Sequence, residues 1–334
     1  MPEIPITVIG SRHPDAPRPR VSVAMITYNH EKFIEQSVES VMMQQTNFPF
    51  ELVISEDCST DRTRELVLGL QKKYPERIRL LLPERNLGAK QNWLQNLQAC
   101  DGEYIAMLEG DDFWISQDKL KQQVELLDKN PAFSACFTRA EVITNGASSK
   151  PHSIPANNPA RKVLTTDDLI ERNSIPTCSL LFRNVVLELD LEPFRPLAMG
   201  DWPLNVLLSL RGLIGYSNKV MAAYRQHDGG IWTGRDEAAR LVETVKFYVI
   251  LKQVLPAKYA HRLSERIVKT HQLIALELLK RGDRRQARNR VFRSLAAIPP
   301  ASLFSFGWFI RRSLLLFLGV YGMSLSRVEA GLRR

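Results

Sequence analysis

Two adjacent carboxylates, Asp111 and Asp112, follow the apolar run Tyr104-Ile105-Ala106-Met107-Leu108 in the segment Glu109-Gly110-Asp111-Asp112-Phe113-Trp114. Paired oxygen donors at the carboxyl end of a buried strand face the crevice where open α/β sheets bind ligands. They suit a hard divalent cation, and such a cation suits a substrate diphosphate. A solvated acidic turn is the other use of Asp-Asp, and the pair alone does not separate the two. Three more polar clusters lie at comparable places. Thr27-Tyr28-Asn29-His30 closes the apolar run at 21–26, and Ser55-Glu56-Asp57-Cys58-Ser59-Thr60-Asp61 closes the one at 52–54. Met199-Gly200-Asp201-Trp202 precedes a helical pattern over 203–210.

The elements that must position these clusters are readable from periodicity. Apolar runs at 21–26, 52–54, 78–82 and 104–108 read as buried strands. Between them, Phe33, Ile34, Val38 and Val41, then Leu66, Val67 and Leu70, then Trp93, Leu94 and Leu97 recur at helical spacing. Ser59 or Asp61 is the expected cap of the second helix. Strands alternating with helices of about a dozen residues imply an α/β fold, a mostly parallel sheet covered on both faces. No Gly-x-Gly-x-x-Gly follows the first strand and no P-loop is present, which disfavours a dinucleotide or P-loop site. Further on, 133–138, 177–182 and 219–224 read as strands, and 145–160 as a polar, proline-bearing loop.

With 334 residues the chain can bury one large domain plus an appendage. The net charge is +9, with Lys and Arg concentrated after Lys258, so an anionic surface is the expected partner. Nucleic acid fits poorly, because the basic residues lie on helices without interleaved stacking aromatics. Cys58, Cys100, Cys136 and Cys178 form no Cys-x-x-Cys pair, which fits a reducing compartment and neither a zinc ribbon nor a disulfide framework. Residues 1–20 are proline-rich without a long apolar stretch, and read as a flexible leader rather than a signal peptide.

From 236 to 299 the pattern is helical, with a turn at Gly282-Asp283, and reads as a helical appendage. Residues 300–334 form an amphipathic tail. Arg311 and Arg312 interrupt its apolar run, and each would cost about 2.5–3.5 kcal/mol at the centre of a spanning helix. Two arrangements remain: a helix lying in a membrane interface with arginines on lipid phosphates, or a helical hairpin buried against the protein.

In order and spacing, the four clusters resemble the inverting family 2 glycosyltransferases with the nucleotide-diphospho-sugar (GT-A) fold, over residues 21–235. The resemblance implies a GT-A, Rossmann-like mixed and mostly parallel sheet with helices on both faces. It further implies transfer of a sugar from a nucleotide-diphospho-sugar, with UDP the favoured nucleotide, to a glycan or lipid-linked acceptor in surface polysaccharide biosynthesis. Taken residue by residue, Thr27, Tyr28 and Asn29 would contact the nucleotide, Tyr28 by stacking on the base. Asp57 would accept from the base, and Lys90 would reach the donor phosphates or ribose. Asp111 and Asp112 would hold Mg²⁺ or Mn²⁺, Asp112 with the firmer claim, and Asp111 would also touch the ribose. Glu109 stands where the family often has the first aspartate of this motif. Cys58 stands where it usually has glycine, which implies a less demanding backbone there.

Asp201 is the implied catalytic base, because inverting displacement requires the acceptor hydroxyl to lose its proton as the new bond forms. Asp201-Trp202-Pro203 also reads as a helix N-cap. In Tyr224-Arg225-Gln226-His227, His227 would complete the metal site. The processive signature Gln-x-x-Arg-Trp is missing, which implies transfer of a single sugar. The expected setting is cytoplasmic, peripheral on the inner face of a membrane through the C-terminal tail. The alternatives are an inactive scaffold that binds glycan or partner, and a sugar nucleotidyltransferase. The latter usually carries a Gly-rich loop where Thr27-Tyr28-Asn29 stands.

Overall fold

A computed structural model describes residues 5–10, 18–144, 152–155, 162–227, 229–230, 234–298, 307–320 and 328. Two compact units emerge, one running to Leu191 and including Gly200–His227, the other made of Glu192–Met199 with the chain after His227.

The first unit is built on one mixed sheet. Its strands are β1 (Ile6–Ile9), β2 (Val21–Thr27), β3 (Phe50–Glu56), β4 (Ile78–Pro83), β5 (Tyr104–Glu109), β6 (Phe113–Trp114), β7 (Phe133–Thr144), β8 (His152–Ile154), β9 (Val163–Leu164), β10 (Leu181–Arg183) and β11 (Leu213–Gln226). The order is β1-β4-β3-β2-β5-β10-β7-β11-β6, with β8 on β7 and β9 on β11. The central run β4-β3-β2-β5 is wholly parallel, and each of its members is buried almost end to end. Strands covered on both faces read as unbroken apolar runs, which is why these four are visible in the sequence.

Helices α1 (Ile34–Met42), α2 (Thr63–Lys73), α3 (Ala89–Gln98), α4 (Lys119–Asp128), α5 (Thr166–Glu171) and α6 (Asp201–Arg211) cover the sheet. The core joins Val23, Met25 and Ile54 of the strands to Ile34, Val38 and Val67 of the helices, all fully buried. Burial of each such side chain is worth roughly 1.5–3 kcal/mol. Polar bonds fix α3 in place: the Asn92 amide donates to the Ser55 carbonyl (3.1 Å), and the Asn96 amide to the Val53 carbonyl (2.9 Å).

The structure departs from the sequence reading at several points. The N-cap of α2 is Arg62, with no side-chain cap bond, in place of Ser59 or Asp61, although Asp61 Oδ1 accepts from the Thr63 amide (2.9 Å). Ile6–Ile9, within the expected leader, is an antiparallel edge strand on β4. β11 begins at Leu213, well before 219; Gly215 breaks its alternation, and long-range pairing with β7 holds it. At 177–182 the first half is a one-turn 3₁₀ helix, Thr177–Ser179, begun after Pro176, with the Ser179 amide on the Pro176 carbonyl (2.9 Å). Within the expected polar loop, His152–Ile154 pairs with β7, while 145–151 and 156–160 lie outside the described residues.

The second unit is helical: α7 (Glu237–Val254), α8 (Ala260–Lys280), α9 (Arg284–Ala296) and α10 (Gly307–Val320). Asp236 caps α7 through the Ala239 amide (2.9 Å), and Asp283 caps α9 through the Gln286 amide (3.0 Å). Gly282 turns the chain between α8 and α9 with φ of 79°. One side of α10 packs inward: Leu316 clusters with Ala275 and Val291, and Ser313 is bonded to Gln272 and Ser294 (2.9 Å each). The opposite stripe, Arg311, Leu314 and Leu318, is exposed. No helix among the described residues is long and apolar enough to cross a membrane. All four cysteines are free thiols.

Candidate active site

The acidic turn after β5 is pinned to β2, since the Gly110 amide donates to the Ile26 carbonyl (2.9 Å). Gly110 is required by close approach: a Cβ there would stand 2.6 Å from Thr27 Oγ1 and 2.9 Å from His30 Nδ1. His30 Nδ1 is itself 3.2 Å from Thr27 Oγ1. Behind this contact the Asp111 carboxylate meets two imidazoles. Its Oδ2 lies 3.0 Å from His227 Nε2 and 3.8 Å from His30 Nε2. Burial raises the Asp111 pKa, but the His227 hydrogen bond and the His30 charge more than offset it, so the carboxyl ends below its usual range. Burial above all lowers the His30 pKa, against the pull of Asp111.

Asp112 points the other way. It is 2% exposed, and its Oδ1 accepts from the Arg225 amide on β11 (2.8 Å). Burial and the neighbouring Asp111 charge push its pKa well up. The Arg225 guanidinium donates to the Asp111 carbonyl and to Gln36 Oε1, and stacks over Phe113 (4.4 Å) and Phe33 (5.1 Å). Arg225 therefore clamps the acidic turn onto α1 and β11. Glu109 is pushed well up by burial and by the charges of Asp112, Asp111 and Asp201, and its Oε2 is buried without a hydrogen-bond partner.

Asp201 is the first residue of α6, whose N-cap is Gly200 and has no side-chain cap bond. The Asn173 amide donates to Asp201 Oδ2 (2.5 Å), and Asn205 donates to Asn173 Oδ1 (3.1 Å). Burial raises the Asp201 pKa against the bonds from the Trp202 amide and Asn173. Lys90 is the neighbouring cation: its Nζ lies over the Trp93 ring (5.1 Å). Burial lowers its pKa to about 8 despite the Asp201 charge.

A third cluster sits at the ends of β2 and β3. The Asp57 amide donates to the Thr27 carbonyl (3.0 Å). Its carboxylate accepts from the Leu87 amide (2.7 Å) and the Gly88 amide (3.0 Å), and burial still raises its pKa. Gly88, with φ of 80°, lets the β4–α3 connection present those amides. Tyr28 is 41% exposed, its ring available for stacking. Asn29, at φ 54°, accepts from the Thr60 amide (2.8 Å). Cys58 has φ of 57°, which overturns the expectation of an undemanding backbone: the left-handed geometry that glycine suits is kept.

The sequence-derived residues thus lie at the carboxyl ends of β2, β3, β5 and β11 and at the starts of α3 and α6. Thr27, Asp111 and His227 are joined through His30, Asp112 is tied to Arg225, and Asp201 is coupled to Lys90 and Glu109. His30, Arg225, Asn173 and Asn205 carry the geometry without having been assigned roles from sequence. His30 and Arg225 lie inside the polar clusters at 27–30 and 224–227, and Asn205 stands one helical turn after Asp201 on α6; Asn173 carries no local signal.

Among the described residues, no three His, Cys, Asp or Glu side chains are arranged to enclose a metal ion. The donor set nonetheless fits a divalent cation that is completed by substrate. Asp111 is held ionised, and His227 offers an imidazole 3.0 Å away, a carboxylate and nitrogen pair that Mn²⁺ accepts. Diphosphate oxygens would supply the remaining positions.

The family described as Glycosyl transferase family 2 matches residues 22–189. An uncharacterized protein of Mycobacterium tuberculosis is 31% identical over 288 residues, 85% of this chain and 82% of that one. The putative teichuronic acid biosynthesis glycosyltransferase TuaG of Bacillus subtilis is 32% identical over 226 residues, 67% of this chain and 85% of TuaG. Among solved structures, S. aureus TarS 1–349 in complex with UDP-GlcNAc superposes with a TM-score of 0.66 at 15% identity, covering 94% of this chain and 90% of that 1–349 chain. The chain belongs to glycosyl transferase family 2; it is a glycosyltransferase with the GT-A fold.

Proposed function

We propose that this enzyme is a metal-dependent inverting glycosyltransferase that moves one sugar from a UDP-sugar to a glycan or lipid-linked acceptor. The observation that carries the reading is the Asp111–His227 pair, 3.0 Å apart just past the end of β5, with the Asp201 carboxylate held by Asn173 at the start of α6. The charges of Asp111 and Asp201 both act on the buried Glu109, which supports reading them as parts of one site. UDP is favoured by the structural neighbour bound to UDP-GlcNAc. A role in surface polysaccharide synthesis is favoured by the teichuronic acid relative.

In the reaction, the acceptor hydroxyl gives its proton to Asp201 as its oxygen bonds to the anomeric carbon. The bond from that carbon to the diphosphate oxygen breaks on the opposite face, and UDP leaves with the electron pair. Asn173 fixes the Asp201 carboxylate, and its raised pKa brings the group nearer to that of an effective base. Lys90, beside Asp201, supplies positive charge against the departing diphosphate. Asp111 and His227 would hold Mg²⁺ or Mn²⁺, which when bound neutralises charge on the leaving group. Asp112, with one oxygen on the Arg225 amide, positions the turn. Tyr28 stacks on the base, while Asp57 and Asn29 shape the loops around it, and Thr27 seats His30. The exposed stripe Arg311, Leu314 and Leu318 supports peripheral attachment to the inner face of a membrane.

The test is the anomeric configuration of the product formed from an α-linked UDP-sugar and extracted lipid-linked glycans, read by NMR. A β-linked product is expected; an α-linked product contradicts inverting transfer.

A further inference from the structure

Helices α7, α8 and α9 of the second unit line an open cavity of about 770 Å³, within the range of small-molecule sites. Val249, Ile267 and Ile298 give it apolar walls, Lys252 and Arg293 give it a basic edge, and His271 lines it between them. Nothing in these helices neutralises that edge. Glu237 pairs with Arg240, Glu243 with Lys246, Glu265 lies by His261, and Glu277 pairs with Lys280 and Arg281. Helix α9 has no acidic residue, and Asp283 before it is spent on the cap.

His271 adds an independent sign. It is 6% exposed, it lines the cavity, and its Nδ1 has no hydrogen-bond partner. A buried polar atom left unpaired is costly, and a ligand that pairs with it recovers that cost. Burial first, then the charges of Arg290 and Arg293, lower its pKa to about 4. An uncompensated cationic edge around an unpaired buried nitrogen calls for an anion, and the apolar wall beside it calls for a hydrocarbon chain.

We propose that this cavity binds a phosphate-bearing lipid. Phosphate oxygens accept from His271 Nδ1, Lys252 and Arg293, and the first methylenes of the chain cover Val249, Ile267 and Ile298. A free phosphate would fill little of the volume and leave the exposed Val249 uncovered. The inference concerns the helical unit alone and does not depend on the transfer reaction.

The experiment is calorimetric titration of the full chain, with no sugar nucleotide, using three probes below micelle formation: dihexanoyl phosphatidic acid, dihexanoyl phosphatidylcholine and inorganic phosphate. Phosphatidic acid is expected to bind more tightly than either other probe. Lys252→Ala and Arg293→Ala, both at exposed positions, should each weaken it about fivefold with unchanged melting temperature. Absence of phosphatidic acid binding, equal binding of phosphatidylcholine, equal binding of inorganic phosphate, or indifference to both substitutions would each overturn the proposal. Because no donor is present, such a failure leaves glycosyl transfer untouched.

Discussion

His227 Nε2 lies 3.0 Å from Asp111 Oδ2 across 116 positions of sequence, so the end of β11 closes on the turn after β5. The same strand's Arg225 amide holds Asp112. One strand thus sorts two adjacent carboxylates into an ionised one facing the imidazoles and a buried one facing the backbone.

That sorting separates two substitutions. Asp111→Asn should reduce turnover by on the order of a hundredfold or more, through loss of metal-assisted charge stabilisation. It should also abolish the difference in donor binding with and without EDTA. Asp112→Ala leaves the buried Arg225 amide unpaired and should cost about 1–3 kcal/mol of stability, read as a lower melting temperature. If Asp112→Ala instead removes only the EDTA effect, the roles are reversed.

Asp201→Asn should preserve donor binding and lower transfer roughly 10²–10⁴-fold. The sign of its stability effect is informative. The folded pKa of Asp201 is raised, so its stabilising contribution is full at acid pH and is lost as pH rises through that value. The neutral amide should therefore melt at the same or a higher temperature at pH 7. A lower melting temperature with intact turnover would make the residue structural.

The Asn173 bond lowers the Asp201 pKa. Asn173→Ala should accordingly move the acid limb of the pH–rate profile to higher pH. A limb that stays in place would separate Asp201 from the titrating base.

Much of this site was legible because strand ends and polar clusters coincide in sequence. The runs leading to Thr27, Asp57 and Asp111 are buried on both faces and stay continuous in the chain. Direction was not legible: nothing in Asp111-Asp112 says which carboxylate faces the imidazoles, because that depends on β11, which comes far later in the chain and pairs with β6 and β7. Asp201 and Asn205 stand one turn apart on α6, but Asn173, which bridges them, lies in a loop after α5 and leaves no spacing to read. The leader strand Ile6–Ile9 was hidden because its four residues, Ile-Thr-Val-Ile, are too short a run to show a period.

Cys58 at φ 57° offers a stability test. Cys58→Gly removes left-handed strain of about 1–2 kcal/mol, against about 0.4–1 kcal/mol of added unfolded-chain entropy. A net gain on the order of 0.5–1 kcal/mol is expected by denaturant titration; a net loss would mean that the strain is absorbed elsewhere.

Gly110→Ala would drive a methyl group against Thr27 and His30. The fold should survive at a cost of about 1–3 kcal/mol, while displacement of His30 and Asp111 lowers turnover roughly a hundredfold. Undiminished turnover, measured with melting in parallel, would show that the close approach has no part in positioning the site.

The most direct measurement is thermal stabilisation of the full chain by a panel of UDP-, GDP- and dTDP-sugars with Mn²⁺, repeated with EDTA and in Asp111→Asn. A ligand that binds the native state alone at a hundred times its dissociation constant adds about 2.7 kcal/mol. At least one UDP-sugar should raise the melting temperature with Mn²⁺ and lose that effect both with EDTA and in the variant. A shift unaffected by EDTA and by Asp111→Asn, or none with any sugar nucleotide, would contradict a metal-held donor at this site.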